Sequence, residues 1–159
     1  CLVGEIGRIA VSGANVMRGY WRRPAETADT LIEGWLDTGD LGFMDDDGFV
    51  YIVDRAKDMI ISGGENIYST EVEHALYEHR DILEAAVIGF PDPKWGEAVT
   101  AFVVRRTGTN ASETEIIAHC RQSIAAYKCP KKIIFMKQLP KSGAGKIMKT
   151  ELRNGLSEA

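Results

Sequence analysis

The 159 residues are 45% hydrophobic and 26% charged, with 16 Gly and 5 Pro, the composition of an ordinary globular chain rather than a disordered one. No apolar run approaches the roughly 18 residues that span a bilayer, and no basic segment followed by an apolar stretch opens the chain, so a cytoplasmic protein without integral membrane association is expected. The net charge of -4 and the lack of an aromatic-interleaved basic stripe argue against nucleic acid as partner.

The first strand signal is Arg8-Ile9-Ala10-Val11. Because Gly4-Glu5-Ile6-Gly7-Arg8-Ile9 reads as the middle of a structured region and the first residue is Cys1 rather than Met, the chain is expected to be a piece of a longer protein. Proline is tolerated at the first helical position, so a helix is predicted from Pro24 through Ala25 to Leu31. The runs 41–44 and 49–53 flank Asp45-Asp46-Asp47-Gly48, a cluster suited to a hairpin reversal. Thr38-Gly39-Asp40 is predicted to end a turn after Trp35, where the carboxylate could accept hydrogen bonds from vicinal hydroxyls; Asp beside Gly in a turn is also an ordinary structural feature.

Polar residues 53–57 separate the hairpin from Met59-Ile60-Ile61, and the domain boundary is placed there, giving domains 1–56 and 57–159. Charge divides at the same point. Five arginines face ten acidic residues up to Ala56, for -5, and fourteen basic face thirteen acidic residues from Lys57 onward, for +1. In the second part, Ser62-Gly63-Gly64-Glu65-Asn66 reads as a loop. Thr70 and Glu73 have capping-box spacing at the start of a helix whose Val72, Ala75 and Leu76 share a face. Residues 83–90 and 98–104 read as buried strands joined by turn-rich residues 91–97. Ser112 with Glu115 forms a second capping box, opening a helix with Ile116, Ile117, Cys120 and Ile124 inward. A strand at 133–136, a loop at 139–146 and a short helix to Leu156 complete an α+β module.

The three cysteines, Cys1, Cys120 and Cys129, have no metal-ligand spacing and suggest neither a disulfide framework nor a metal site. His74, His79 and His119 are too scattered for a ligand set, and no G-x-S-x-G elbow accompanies them. Near the end, Lys128, Lys131, Lys132, Lys137, Lys141, Lys146, Lys149 and Arg153 face only Glu151. This is either a solvated basic face or a surface that meets a polyanion. Within it, Leu139-Pro140-Lys141-Ser142-Gly143-Ala144-Gly145-Lys146 reads as a movable arm ending in a lysine, able to bring positive charge to a reacting phosphate. It is no Walker motif, because Ile147 stands where Ser or Thr would bind Mg²⁺ and Lys141 where a glycine is required.

Taken together and in order, residues 34–40 (Gly-Trp-Leu-Asp-Thr-Gly-Asp), residues 54–67 (from Asp54-Arg55-Ala56-Lys57 to Ile67), Glu71-Val72-Glu73 and residues 139–146 resemble the acyl-CoA synthetase branch of the adenylate-forming family. The resemblance covers essentially the whole chain. It implies the family's small C-terminal domain, a compact sheet with helices, preceded by the β-rich edge of a large ATP-binding domain. It further implies a carboxylic acid substrate, ATP with Mg²⁺ held mainly by a large N-terminal domain lying before Cys1, and CoA as co-substrate. By motif match, Asp40 and Arg55 hold the ribose of ATP, Lys57 is the hinge, and Lys146 stabilises charge at the α-phosphate. Gly63, Gly64, Glu65, Trp95 and Tyr127 fall at CoA-binding positions. Two other readings stay open: an adenylation domain loading a carrier protein, or a luciferase; and a non-enzymatic module that binds CoA or a partner.

Overall fold

The computed structural model describes residues 1–157, so the expected limit of the second domain at 159 lies outside the described residues. The chain divides into two compact units, Cys1–Lys57 and Asp58–Ala159, one residue beyond the boundary placed from sequence. The described residues contain no helix long and apolar enough to cross a membrane.

In the first unit, β1 (Gly7–Val11), β2 (Leu31–Ile32), β3 (Trp35–Met44) and β4 (Val50–Arg55) form an antiparallel sheet around β3, and helix α1 (Pro24–Thr30) starts at the expected proline. Asp45 makes the reversal between β3 and β4. Its carboxylate accepts from the backbone N–H groups of Asp47 (3.0 Å) and Phe49 (2.9 Å), the local bonding that suits Asp to turns. Phe43 and Tyr51 are cross-strand partners, stacked at 5.1 Å. Thr38-Gly39-Asp40 does not end a turn as expected but lies inside β3. Arg8 pairs with Leu41 and Ala10 with Asp37, so three residues of β3 stand opposite Ile9, and the strand bulges there. Gly39 takes φ +75° at this bulge.

The second unit is built on β7 (Ile82–Asp92) and β8 (Gly96–Arg105), paired along their length. On the other edge of β8 lie the β5 (Ile60–Ser62) and β6 (Glu65–Ile67) hairpin, through Ser62–Gly96, and β9 (Lys132–Phe135), which runs parallel to it. Side chains alternate across a strand, and the apolar runs of β7 and β8 serve both faces. Ala85, Val87, Val99, Ala101 and Val103 pack with Val72, Ala75 and Leu76 of α2 (Ser69–Tyr77) and with Ile116 and Cys120 of α3 (Glu113–Ser123). The alternate residues Ala86, Ile88, Phe102 and Val104 meet Leu139 and Leu152, the latter on α4 (Lys149–Ser157). Each fully buried Val, Leu or Ile among them is worth about 1.5–3 kcal/mol.

The Ser112–Glu115 capping box forms in both directions. The one expected from Thr70 does not open α2, because Tyr68 is the N-cap and Thr70 is already helical. Glu73 instead reaches β7, accepting from the Val87 N–H at 2.8 Å. Tyr77 Oη also lies 3.2 Å from both the N–H and the carbonyl of Ala85. Together these two side chains of α2 occupy backbone groups that an edge strand otherwise leaves open.

Cys120 and Cys129 are buried, and burial pushes the Cys120 thiol up to about 11, while Cys1 is exposed. Reaction needs the thiolate. The native chain at pH 8 should therefore show one fast thiol toward a disulfide reagent and three after denaturation. Two or more fast thiols in the native chain would contradict this packing.

Candidate functional site

The bulge in β3 brings Asp40 opposite Arg55 of β4, and Arg55 Nε lies 3.2 Å from Asp40 Oδ1. The Ala56 N–H donates to the Gly39 carbonyl at 2.9 Å, closing the bulge against the end of β4. Behind it, Thr38 Oγ1 donates to the Ile9 carbonyl at 2.9 Å, and Asp37 pairs with Arg8 at 2.6 Å. The Arg8 guanidinium and the Gly39 N–H hold the Asp37 carboxyl below the usual carboxylate range. Arg8, Gly39, Arg55, Ala56 and Lys57 line a cleft of about 290 Å³. With one Asp40 oxygen held by Arg55, the other can accept from a hydroxyl, and the three cations of the rim suit an anionic ligand. Arg8 escaped the sequence reading because it stands 29 residues from Asp37 and belongs to no local motif.

The expected loop at 62–66 is a two-residue hairpin. Gly63 and Gly64 have φ +62° and +86° between the paired Ser62 and Glu65, the backbone that glycines supply in the tightest hairpins. The Gly63 N–H donates to the Trp95 carbonyl at 2.8 Å, and a Cβ on Gly63 would sit 3.1 Å from the indole. Gly63, Gly64, Glu65 and Trp95 are thus brought together at one end of β8. Lys94 Nζ lies 4.6 Å and Lys131 Nζ 5.6 Å from the centroid of the half-exposed Trp95 ring, giving a flat apolar face with cations beside it. Tyr127 stands exposed in the α3–β9 connection, beside Lys128.

Lys146 is carried by an ordered turn rather than by the loose arm expected from its glycines. Lys141 and Ile147 form an antiparallel bridge, the Gly145 N–H donates to the Ser142 carbonyl at 2.8 Å, and the Ser142 N–H donates to the Lys146 carbonyl at 2.8 Å. Gly145 takes φ +78°, so the tip has the form of a three-residue hairpin loop ending on a left-handed glycine. Four of the eight basic residues of the run around it are in ion pairs. Lys128 pairs with Glu71 at 2.7 Å, Lys149 with Glu73 at 2.7 Å, Arg153 with Asp58 at 2.8 Å, and Lys141 with Glu84. The exposed Lys146 makes no ion pair among the described residues. In this it is like Lys131, Lys132 and Lys137; the sequence reading could not separate these four from the paired cations, since the partners of Lys128, Lys141 and Lys149 lie far away along the chain.

Residues 71–146 match the family model described as the AMP-binding enzyme C-terminal domain, with Lys146 as the last matched residue. A feruloyl-CoA synthase from an Amycolatopsis species is 51% identical over 150 residues, 94% of this chain and 30% of that protein. The long-chain-fatty-acid–CoA ligase of Bacillus subtilis (strain 168) is 53% identical over 148 residues, 93% of this chain and 26% of that protein. The solved o-succinylbenzoate CoA synthetase of Bacillus subtilis, in complex with its acyl-adenylate intermediate, is 42% identical with a TM-score of 0.89, covering 100% of this chain and 32% of its own. The chain therefore spans about 30% of the length of the curated relatives it matches.

The two glycines should respond differently to substitution. Gly64→Ala is expected to cost about 1–2 kcal/mol from its left-handed backbone alone, whereas Gly63→Ala should cost more and shift Trp95 emission in a Trp21→Phe/Trp35→Phe background. Urea unfolding and fluorescence check this; equal losses with unchanged emission would contradict the described contact.

Proposed function

Because this chain carries the C-terminal domain of an AMP-binding enzyme, we propose that it serves an ATP-dependent acyl-CoA synthetase. A carboxylate oxygen attacks the α-phosphorus of ATP, the bond to pyrophosphate breaks, and acyl-AMP forms. The thiol of CoA then attacks the acyl carbonyl, and AMP leaves. The observation that carries this reading is Lys146, an unpaired ammonium on an ordered hairpin tip flanked along the chain by Lys141 and Lys149, both held by carboxylates. Its role is to meet the negative charge that builds at the α-phosphate during the first step, a contribution on the order of 10²- to 10³-fold in rate.

Asp40 is assigned to the ribose hydroxyls, with Arg55 orienting its carboxylate at 3.2 Å and adding positive charge to the nucleotide site. Lys57, where the two units divide, is assigned as the hinge. Gly63, Gly64 and Glu65 are assigned to the pantetheine arm of CoA, since a turn without side chains lets a ligand approach its backbone. Trp95 and Tyr127 are assigned to the adenine end, where an exposed ring can stack. Among the described residues no group of three or more His, Cys, Asp or Glu side chains is placed to hold a metal. The Mg²⁺ that accompanies ATP is accordingly assigned to residues outside this chain. The acid also belongs outside, in keeping with relatives of 51% and 53% identity being named for a feruloyl and a long-chain fatty acyl product. A large N-terminal domain and a cytoplasmic location complete the proposal.

In the enzyme that contains this chain, Lys146→Ala should lower acid-dependent ATP–pyrophosphate exchange by about 10²- to 10³-fold while leaving thioester formation from supplied acyl-AMP within a few-fold. Equal loss of both half-reactions would contradict the role given to Lys146. A product formed only on a phosphopantetheinylated carrier, and not with CoA, would move the acceptor assignment to the carrier-loading class.

A further inference from the structure

The Lys146 hairpin must be held in direction as well as in shape. Its internal bonds, from Ser142 to Gly145 and Lys146, fix the tip but not where the tip points. Below the tip, Leu139 is buried with Leu152 and Phe102, Ile147 packs against the same cluster, and the Met148 N–H donates to the Pro140 carbonyl at 2.8 Å. Between these anchors and the tip stands the Lys141–Ile147 bridge. Lys141 carries the side-chain link from the bridge to the sheet, its ammonium pairing with the Glu84 carboxylate of β7. Glu84 stands opposite Val104 of β8, just after the irregularity in the pairing that follows Ile82, so the link ends on the sheet.

From this juxtaposition we propose that Glu84 is a positioning residue for Lys146, acting through Lys141 to aim the hairpin at the reacting phosphate. The inference rests on the adenylation role given to Lys146 above. Because the Lys141 and Glu84 side chains are 40% and 25% exposed, water and salt screen the pair, and its effect is a factor of about 2 to 5 rather than orders of magnitude. A small loss of aim still lowers rate, since the cation works only where charge develops.

The test is a mutant cycle in the enzyme that contains this chain, read by single-turnover adenylation and, separately, by thioester formation from supplied acyl-AMP. Glu84→Gln should slow adenylation about 2- to 5-fold, more at low salt than at high, and leave the second half-reaction unchanged. Exchanging the charges, Glu84→Lys with Lys141→Glu, should restore the adenylation rate. In a Lys146→Ala background Glu84→Gln should add no further loss, because the cation to be aimed is gone. A merely structural role predicts the same loss in both backgrounds, and that result overturns the proposal. If Lys146→Ala cripples adenylation while Glu84→Gln is silent, the positioning role alone fails. If Lys146→Ala itself leaves adenylation intact, the underlying reading of Lys146 fails first.

Discussion

The ion pair between Glu73 and Lys149 is the joint on which the second unit depends. Glu73 projects from α2, accepts the Val87 N–H of β7 at 2.8 Å, and holds Lys149 at the start of α4 at 2.7 Å. Lys149 also donates to Ser69 Oγ at 2.8 Å. One carboxylate thus ties a helix on one sequence segment, the edge of the sheet, and a helix that begins directly after the Lys146 hairpin. The two side chains are only 17% and 16% exposed, so losing one partner would leave a poorly solvated charge, at a cost of up to about 3–5 kcal/mol. The hairpin carrying Lys146 is consequently attached at its C-terminal end to α2 and the edge of the sheet.

The distribution of charge around that hairpin separates structure from chemistry. Lys128 is bound by Glu71, whose hydrogen bond raises the lysine above its ordinary range, and it therefore stabilises the fold up to alkaline pH, being lost only as pH rises through the elevated value. Lys141, Lys149 and Arg153 are likewise matched by carboxylates on other elements. A run of eight basic residues with a single acidic neighbour looks uniform along the chain but is not uniform in space. Matched cations hold the scaffold, whereas Lys131, Lys132, Lys137 and Lys146 make no ion pair among the described residues. In the first unit Arg8 engages Asp37 behind the bulge, while Arg55, which lines the cleft, engages Asp40.

Features written locally were legible in the sequence. Ser112 and Glu115 are three residues apart and cap α3 as their spacing predicts; Val72, Ala75 and Leu76 mark the buried face of α2; Pro24 starts α1; and the apolar runs become β7 and β8. The same spacing rule failed at Thr70 and Glu73, because Glu73 found stronger partners in Val87 and Lys149 than an N-terminal backbone group could provide. Thr38-Gly39-Asp40 looked like a turn because its residue types suit turns, and only pairing with β1 makes it a bulge inside a strand. Of the candidate site, the family motifs marked Asp40, Arg55, Gly63, Gly64 and Lys146, whereas the contacts of Arg8, of Glu84 and of Lys131 with Trp95 join distant segments.

Competitive acylation of this chain's lysines by a limiting amine-reactive ester, read residue by residue by mass spectrometry, tests the central claim that an ordered hairpin presents Lys146 as a free cation between the engaged Lys141 and Lys149. The account predicts that Lys146 reacts several-fold faster than Lys128 and Lys149, which are partly buried and paired with Glu71 and Glu73, and that urea removes the difference. Lys146 reacting no faster than Lys149 in the folded chain would contradict it.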